Sequence, residues 1–534
     1  MMGWRTDAVV AGPAVVTLVF VVVICARWCS QHARLQRAVG ETAAAATAAG
    51  GGGLPRRTVK TMAVLCLWGV IGCTAMSLMQ SPFTELLMQR ACERQGIPFG
   101  SRECDKSAEA QSEATYRSTI LAVTGSVAAF ASLGVASVMA DSFGRKDALT
   151  FIMTGNVLSP ALVWLIPMDT VHVLGYGFDG FWLIMGLGTL TSLFGVGAYL
   201  SVSMSVMADV SAELSHATRT NMLMLLEAAT WGGNMVGPIL GAKLADVFGL
   251  RAVFGFSAGG SLLAIVLLLF FYDETLDPAQ RIAFSWKRAN PIGQLWPLIA
   301  HPLMIKFSVI LGPTYLMAMI VNNMIQQLYL IRVIDSGIME LAVLLTINNV
   351  VGVVGLLVVL PLLQSVGVGR RAFVLMAMLT TMVQFTGMAS LSLSTVQALP
   401  KPALDAIPYV IQAIGVAGGP LMPCIRSTIA SLAESDEMTA SVAVSLGAIA
   451  ALQTVMGFIT PFIGMPIYVE SEHSMPGLVF VLATVLVGVA LAVALTLPNL
   501  ERVGEPSAVR GASSSSERES LLSKTEGGGG KLIQ

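Results

Sequence analysis

The stretch DSFGRKDAL, residues 141–149, joins two apolar runs that begin near residues 117 and 148. A connection this short between two helices needs backbone room at Gly144, because glycine tolerates conformations that a side chain forbids. Asp141 and Arg145 carry opposite charges, which can pair between neighbouring helices at a membrane surface. The stretch therefore predicts a helical hairpin with a charged latch at its tip. A solvated basic turn is the plainer alternative.

The apolar runs on both sides of this stretch are hydrophobic all round, which is rare for helices of soluble proteins. Of the 534 residues, 55% are hydrophobic and 12% are charged, whereas soluble domains carry about 25% charged residues. The hydrophobic residues form runs of about 20, the length at which a helix crosses ~30 Å of hydrocarbon. The composition predicts an all-α membrane protein.

Thirteen such runs divide the chain. The first covers residues 8–26, and the other twelve begin near residues 59, 117, 148, 180, 219, 250, 304, 339, 371, 406, 438 and 476. We predict five regions: an N-terminal segment with a linker, a six-helix bundle, a polar central loop, a second six-helix bundle and a tail. Their bounds are 1–58, 59–272, 273–303, 304–498 and 499–534.

Lysines and arginines are concentrated before the second run, in the central loop and in the tail. This distribution predicts that both ends of the twelve-helix part face the cytosol. Residues 8–26 are expected to form an extra helix with its N-terminus outside, because arginines follow it and no small-residue cleavage site does. A cleaved signal peptide and a helix lying on the membrane are the alternatives. Residues 38–57 and 503–534 are expected to be disordered.

Residues 81–116 are predicted to be a long outer loop. Cys92 and Cys104 lie within it, and their spacing permits a short disulfide loop in an oxidising compartment, with two free thiols as the alternative. The chain has no metal-type cysteine pair, no histidine cluster and no nucleophile–base set. We therefore expect neither an enzyme nor a metal or organic cofactor. The net charge of −1 gives no sign of nucleic-acid binding.

Residues 141–149 resemble the signature of the major facilitator superfamily, G-x-x-x-D-R/K-x-G-R-R/K. The matching residues are Asp141, Gly144, Arg145 and Lys146, whereas Ser137 and Ser142 depart from the pattern. The resemblance implies a twelve-helix fold of two six-helix bundles, related by a pseudo-two-fold axis, that alternately opens a midplane cavity to each side. Asp209, at the end of the fourth helix, is a further expected partner of Arg145 in this cytosolic gate.

The stretch WGGNMVGPILGA, residues 231–242, is similar to the G-x-x-x-G-P-x-x-G-G pattern of proton-coupled members of the superfamily. The matching residues are Gly233, Gly237, Pro238 and Gly241. Small residues four positions apart let two helices approach closely. The resemblance implies a gating role for this fifth helix, and ordinary close packing is the alternative.

Residues 208–233 and the YDET stretch at 272–275 resemble the branch that contains the proton-coupled folate transporter. There, a glutamate in a Leu-Leu-Glu-Ala context is tied to proton coupling, which implies that role for Glu227. In that branch the tenth of the twelve membrane spans carries a functional arginine, which corresponds by position to Arg426. The residues indicate the same pair independently, because Glu227 is the only carboxylate well inside any of the twelve runs. Charges inside a membrane are costly and usually functional.

Glu227 and Arg426 are expected about 12 Å and 9 Å from the cytosolic helix ends, so they are able to form an ion pair. The alternatives are a purely structural pair and an Arg426 that reaches the interface. Polar side chains in other runs are predicted to line the solute cavity, with helix–helix hydrogen bonding as the alternative. These residues are Asn234, Asn322, Asn323, Gln326, Asn348, Tyr199, Tyr409 and Gln412.

Together these features predict a monomeric secondary transporter of a small organic solute, driven by a proton gradient. The folate-branch resemblance implies symport of an organic anion, whereas the helix 5 pattern implies efflux by proton antiport. A non-transporting receptor or nutrient sensor on the same fold is a third interpretation. In the tail, Glu517, Leu521 and Leu522 fit the acidic dileucine pattern that sorting adaptors bind. They suggest an endosomal, lysosomal or vacuolar membrane, with the plasma membrane as the alternative.

Overall fold

The computed structural model describes residues 56–98, 101, 103–104, 107–167, 170–173, 176–195, 198–210, 216–322, 324–418, 421–434, 442–471, 474–498 and 500. The predicted extra helix at residues 8–26, nearly all of the expected disorder at 38–57 and 503–534, and the tail motif with Leu521 and Leu522 lie outside these ranges. Those predictions therefore stay untested. Arg56 and Arg57, which belong to the stretch predicted to be disordered, instead begin the first described helix.

Among the described residues, helices occupy each of the six predicted apolar runs between residues 59 and 272. They are α1 (Arg56–Ser77), α2 (Gln80–Arg94), α3 (Ala108–Ser142), α4 (Arg145–Leu165), α5 (Gly180–Ser192), α6 (Tyr199–Val210), α7 (His216–Phe248) and α8 (Leu250–Phe271). An antiparallel hairpin of β1 (Thr170–Val173) and β2 (Tyr176–Asp179) precedes α5. Among the described residues of this half, the hairpin is the one regular element that is not a helix. The sequence patterns did not predict it.

The second half repeats this helical pattern after a central stretch with two short helices. The helices are α9 (Pro291–Leu295), α10 (Pro297–Ala300), α11 (Pro302–Asn322), α12 (Met324–Ile334), α13 (Ile338–Val354), α14 (Leu360–Ser365), α15 (Arg370–Ser390), α16 (Ser394–Gln397), α17 (Lys401–Ile414), α18 (Leu421–Glu434), α19 (Val442–Ser471) and α20 (Leu478–Ala494). A π-helical turn (Gly355–Val359) joins α13 to α14, and a 3-10 turn (Gly415–Ala417) follows α17.

Among the described residues, seven helices are long and apolar enough to cross a membrane, or up to eight if a bent pair counts as one span. Most of the other predicted spans contain shorter or consecutive helices, such as α5 with α6 and α17 with α18, whereas the span predicted near residue 219 is the single helix α7. The chain is thus a multi-pass helical membrane protein, as predicted. The count of twelve spans, the two-bundle division and the orientation stay predictions.

Close packing of α7 on α1 organises the first half, and glycines on α7 make it possible. A Cβ atom at Gly233 would lie 2.4 Å from the Val70 carbonyl oxygen, and one at Gly241 would lie 1.9 Å from the Leu78 oxygen. Gly237 faces Ser77 in the same way, and Pro238 lies within the same helix. The small-residue pattern therefore serves helix packing here, and its gating role stays a prediction.

Contacts between the two halves run mainly through two helix pairs. Helix α7 packs on α13, and α3 packs on α19. We call the end of the molecule with Arg145 the inner face, which is the predicted cytosolic side. The opposite end, with Cys92, is the outer face.

The predicted long outer loop at residues 81–116 is wrong, because helix α2 fills its first part and α3 begins at Ala108. Helix α2 continues past the end of the apolar run as an amphipathic helix, with Leu86, Leu87 and Ala91 buried. Ser107 caps α3 by accepting a hydrogen bond from the Ala110 amide at 3.2 Å, a favoured N-cap interaction. Hydropathy marks the membrane-crossing part of a helix and not where the helix ends.

Cys92 and Cys104 form a disulfide on the outer face, which confirms the predicted bridge. We expect Cys92→Ser to lower the free energy of unfolding by about 3 kcal/mol, because the bridge restricts the unfolded chain. Thermal unfolding of purified protein, with and without reductant, measures this effect. Reductant should lower the midpoint of the parent and leave that of the variant unchanged. Alkylation of both thiols in the non-reduced parent would contradict the bridge.

Asp179 ties the outer hairpin to the neighbouring helices. Its carboxylate accepts hydrogen bonds from Arg94 of α2 and, at 3.2 Å, from Arg117 of α3, and it also accepts from the Phe181 amide. Burial acts to raise the pKa of Asp179, but these hydrogen bonds and the two arginine charges outweigh it and lower the pKa. Asp179 therefore stays ionised and holds α2, α3 and α5 together at the outer face.

Candidate functional site

A buried ion pair between Glu227 of α7 and Arg426 of α18 links the two halves of the chain. The Arg426 Nη1 atom donates to Glu227 Oε1 at 2.9 Å. Only 5% of the Glu227 side chain and 12% of the Arg426 side chain are exposed. Each charge compensates the other where neither could be solvated, and removing one partner would leave a buried charge alone.

Two further groups lie next to this pair. The Thr230 hydroxyl donates to the backbone carbonyl of Glu227 at 2.7 Å. The Tyr315 hydroxyl, on α11, faces the Arg426 guanidinium without a well-formed hydrogen bond. This buried oxygen has no other partner among the described residues. Nothing in the sequence singled out Tyr315, although a tyrosine inside an apolar run usually needs a partner for its hydroxyl.

Tyr199 lies in an aromatic cluster close to the same turn of α7. Its ring packs against Trp68 with centroids 4.9 Å apart, and its hydroxyl shares a 3.5 Å hydrogen bond with Cys73. A Cβ atom at Gly69 would lie 3.4 Å from Thr230 and 3.6 Å from the Tyr199 hydroxyl. Tyr199 and Trp68 therefore lie near the turn of α7 that carries Glu227.

The indole nitrogen of Trp68 is buried and has no hydrogen-bond partner in the described part of the chain. Sequence patterns did not single out Trp68, since tryptophan is common in apolar runs. Gln326 of α12 is also buried, and its side-chain oxygen lacks a partner among the described residues. These unsatisfied atoms, with the Tyr315 hydroxyl, offer polar contacts inside an otherwise apolar interior.

Amides at the α7–α13 interface bind helix to helix. The Asn349 side chain donates to the Asn234 carbonyl at 3.1 Å and to the Leu345 carbonyl at 2.8 Å. Thr346 donates to the Met235 carbonyl at 3.0 Å. Asn234 takes part in this network through its backbone carbonyl, so this part of the predicted cavity wall serves helix association.

The remaining predicted cavity residues are placed less directly. Gln412 accepts two contacts from Gln384 of α15, at 3.2 Å and 3.4 Å, and Tyr409 lies near Glu340 and Asp405. These neighbours of Gln412 and Tyr409 are not members of the Glu227–Arg426 pair. Asn348 is half-buried. Asn322 is the last residue of α11, and its side chain is not among those described. Asn323 lies outside the described residues. Cavity roles for all of them stay predictions.

The inner-face latch has the geometry that the sequence predicted. Arg145 donates from Nη1 to Asp141 at 2.7 Å and from Nε to Asp209 of α6 at 3.0 Å. Its side chain is only 7% exposed. One guanidinium thus bridges the carboxylates of two helices, which suits the planar fork of arginine. The function of this latch as a gate stays a prediction.

Glu274 completes the latch from the end of α8. Its carboxylate accepts from the backbone amides of Arg145 and Lys146, both at 3.1 Å, where a negative charge stabilises a helix N-terminus. Gly144 has a φ of +124°, and a Cβ atom there would lie 2.3 Å from Glu274 Oε2. Lys146 donates to the Leu269 carbonyl of α8 at 2.8 Å. The sequence linked Glu274 to a family branch and did not predict this contact.

We expect Arg145→Ala to lower transport several-fold while leaving expression and folding nearly unchanged. Losing the latch should shift the balance between inward-open and inward-closed states, because it releases α3, α4 and α6 from one another. Lys60→Gln is a matched control, since it breaks an exposed inner-face pair with Asp273 at 2.6 Å that is worth ~1 kcal/mol or less. Accessibility of an inner-face cysteine probe reports the shift. Equal accessibility and transport in Arg145→Ala and the parent would support the basic-turn alternative.

Residues 111–461 match the family model described as Major Facilitator Superfamily. A segment of 175 residues is 24% identical to the multi-drug resistance efflux pump PmrA of Streptococcus pneumoniae, in each of two strains. This segment covers 32% of the chain, and the chain spans 37% of the length of these curated relatives.

Two solved structures share the fold. The crystal structure of the human organic anion transporter MFSD10 (TETRAN) matches with a TM-score of 0.60 and 13% identity, over 82% of this chain and 100% of that one. A D-xylose-proton symporter matches with a TM-score of 0.58 and 14% identity, over 83% and 98% of the two chains. The predicted link to the folate-transporter branch stays a prediction. The chain belongs to the major facilitator superfamily of membrane transporters.

Proposed function

We propose that this chain is a proton-coupled secondary transporter of a small organic solute, and that the solute carries a negative charge. The observation that carries the proposal is the buried Glu227–Arg426 pair, which spans the two halves of the chain at 2.9 Å. A titratable carboxylate and a fixed cation inside a membrane protein are the components that proton-coupled anion binding requires.

The proposed mechanism follows from charge balance at this pair. When Glu227 binds a proton, it loses its negative charge, and the Arg426 charge is left uncompensated. An anionic group of the solute can then take the place of the carboxylate beside Arg426. After solute and proton leave, the pair forms again and compensates both charges. Because the two residues belong to different halves, forming and breaking the pair would favour different arrangements of the halves.

The uncharged part of the solute would lie against neighbouring groups whose polar atoms have no hydrogen-bond partner in the described part of the chain. The Trp68 indole nitrogen is a donor, and the Tyr315 hydroxyl can donate or accept. A buried polar atom without a partner costs free energy. A solute that supplied the missing partner would recover that cost, so these two groups are candidates for solute contacts.

Proton-driven efflux is the second candidate. It is favoured by the resemblance of residues 231–242 to the glycine–proline pattern of proton-coupled members of the superfamily and by the partial similarity to a multi-drug resistance efflux pump. In that case Glu227 would carry the proton, and the proton and the solute would cross the membrane in opposite directions. The direction of solute-induced proton movement separates the two candidates.

A ligand screen tests the solute class. Purified protein is heated with panels of organic anions, cations and neutral solutes in acidic and neutral buffers. We expect stabilisation by one or more anions, and more of it in the acidic buffer, because a protonated Glu227 leaves Arg426 available. Stabilisation by cations alone, or by anions equally at both pH values, would contradict the anion proposal. Stabilisation without uptake into proteoliposomes would favour a receptor or sensor.

The membrane in which the protein works is proposed from its tail. We propose that Glu517, Leu521 and Leu522 bind a sorting adaptor and direct the chain to an acidic endosomal, lysosomal or vacuolar compartment. Such a compartment would supply the proton gradient that Glu227 uses. Imaging of a Leu521→Ala and Leu522→Ala double variant tests the proposal, and a distribution like that of the parent would reject it.

A further inference from the structure

The chain between α8 and α11 lies across the inner face, and we call residues 281–300 the inner strap. The Ile282 amide donates to the Asp141 carbonyl at 3.1 Å, and Phe284 stacks on Phe143 with centroids 6.2 Å apart. The Ala289 carbonyl lies against α3 so closely that a Cβ atom at Gly134 would be 2.0 Å from its oxygen. The strap therefore follows α3 for about two turns, or ~10 Å, from its inner end.

The second part of the strap reaches the other half of the chain. Helix α9 contacts both α3 and α19, and α10 contacts α19. Leu298 is buried in the main hydrophobic core, and Pro297 is buried beside it. One face of the strap is thus packed on protein and bridges the two halves at their inner ends.

The opposite face of the strap is also hydrophobic, and no described part of the chain covers it. Trp286 is 75% exposed and Trp296 is 66% exposed. Three isoleucines are exposed on the same segment, namely Ile282, Ile292 and Ile299. A cluster of this kind on a surface usually marks an interaction site. Because the strap lies beside the inner ends of spanning helices, its exposed tryptophans lie where tryptophan is enriched in membrane proteins.

The charged residues of this region are all basic. Between Asp277 and Asp335 the sequence contains no acidic residue. Arg281, Lys287 and Arg288 precede α11, and Lys306 lies in its first two turns. Lys287 and Arg288 are exposed and directly follow Trp286. Basic side chains next to interfacial tryptophans complement the negative headgroups of anionic lipids. The charge pattern therefore selects a membrane surface over a neutral or cationic partner.

We propose that the inner strap is a lipid-binding anchor. Trp286 and Trp296 insert into the interface of the adjacent leaflet, while Lys287 and Arg288 bind anionic headgroups. The strap touches α3 and α19, so lipid bound to it acts on both halves of the transporter at once. The proposal concerns a surface away from Glu227 and holds whatever solute the chain carries.

Insertion of the tryptophans is tested with the full chain in nanodiscs that contain phosphatidylcholine brominated close to the headgroup. Bromine quenches the fluorescence of nearby tryptophan. We expect the quenched fraction to fall in a Trp286→Phe and Trp296→Phe double variant, because two lipid-exposed emitters are removed. The control is Trp68→Phe, which removes a fully buried tryptophan and should raise the quenched fraction. An unchanged or larger quenched fraction in the double variant would overturn the insertion.

Headgroup binding is tested by thermal unfolding in detergent with added short-chain phosphatidylserine, phosphatidylcholine or inorganic phosphate. We expect phosphatidylserine to raise the midpoint of the parent more than phosphatidylcholine does, and phosphate to have no effect. A Lys287→Gln and Arg288→Gln double variant should lose the difference between the two lipids. Lys60→Gln, an inner-face lysine already paired with Asp273, should keep it. Equal effects of both lipids on the parent, a double variant that responds like the parent, or a full effect of phosphate would each overturn the proposal.

Discussion

Replacing Glu227 with glutamine is expected to abolish proton-driven accumulation of the solute. The solute concentration inside the vesicles should then only reach equilibrium with that outside. Glutamine keeps the shape of the side chain and can still accept a hydrogen bond from Arg426, but it cannot bind and release a proton. Solute exchange across the membrane should be partly retained, because exchange needs the cavity and not the titration. Uptake into proteoliposomes with and without an imposed pH gradient measures both quantities.

A control for this variant is Glu340→Gln, which removes a carboxylate from the first turn of α13. That residue is not part of the buried pair, so accumulation should stay close to the parent value. A Glu227→Gln protein that accumulates solute with the pH dependence of the parent would reject Glu227 as the proton site. The ion pair would then be a structural link between α7 and α18.

Replacing Arg426 with glutamine is expected to abolish transport and to lower the free energy of unfolding by roughly 3–5 kcal/mol at neutral pH, because an unpaired carboxylate is left buried. Adding Glu227→Gln to this variant should restore most of the lost stability, since the double variant buries no charge. Transport should remain absent in the double variant. Thermal unfolding of the parent, the two single variants and the double variant gives the coupling energy between the residues.

Additive effects of the two substitutions on stability would contradict a direct pair between these side chains. A stable and transport-competent Arg426→Gln protein would be a second contradiction. That result would mean that the Arg426 guanidinium of the parent protein reaches the interface with solvent, as the snorkelling alternative requires. The cycle therefore separates a buried pair from a surface arginine without knowledge of the solute.

The spanning helices could be predicted from the sequence because burial in lipid requires long, uniformly apolar runs. The Glu227–Arg426 pair could be predicted because charges are rare in such runs and their depths can be counted along a helix. The latch followed from a short motif with a fixed spacing. In each case a few neighbouring residues carry the signal that marks a helix, an intramembrane charge or the motif. The contact between Glu227 and Arg426 itself joins residues 199 positions apart.

The features that could not be predicted depend on contacts between distant parts of the chain. Helix α2 continues beyond the apolar run because its buried face packs on other helices, which hydropathy does not report. Glu274 reaches the first turn of α4 from the far end of α8. Tyr315 and Trp68 are ordinary residues of apolar runs, and only the fold shows that their polar atoms have no hydrogen-bond partner among the described residues. Such pairings carry no periodic signal in a single sequence.

The most direct test of the central claim is the pH change inside proteoliposomes when solute is added outside without an imposed gradient. If Glu227 couples proton and anion in symport, the interior of parent vesicles should become more acidic as solute enters, and Glu227→Gln vesicles should show no change. An interior that becomes more alkaline would indicate antiport through the same site. Solute entry with no pH change in the parent, or an unaltered pH change in Glu227→Gln, would contradict proton coupling at the Glu227–Arg426 pair.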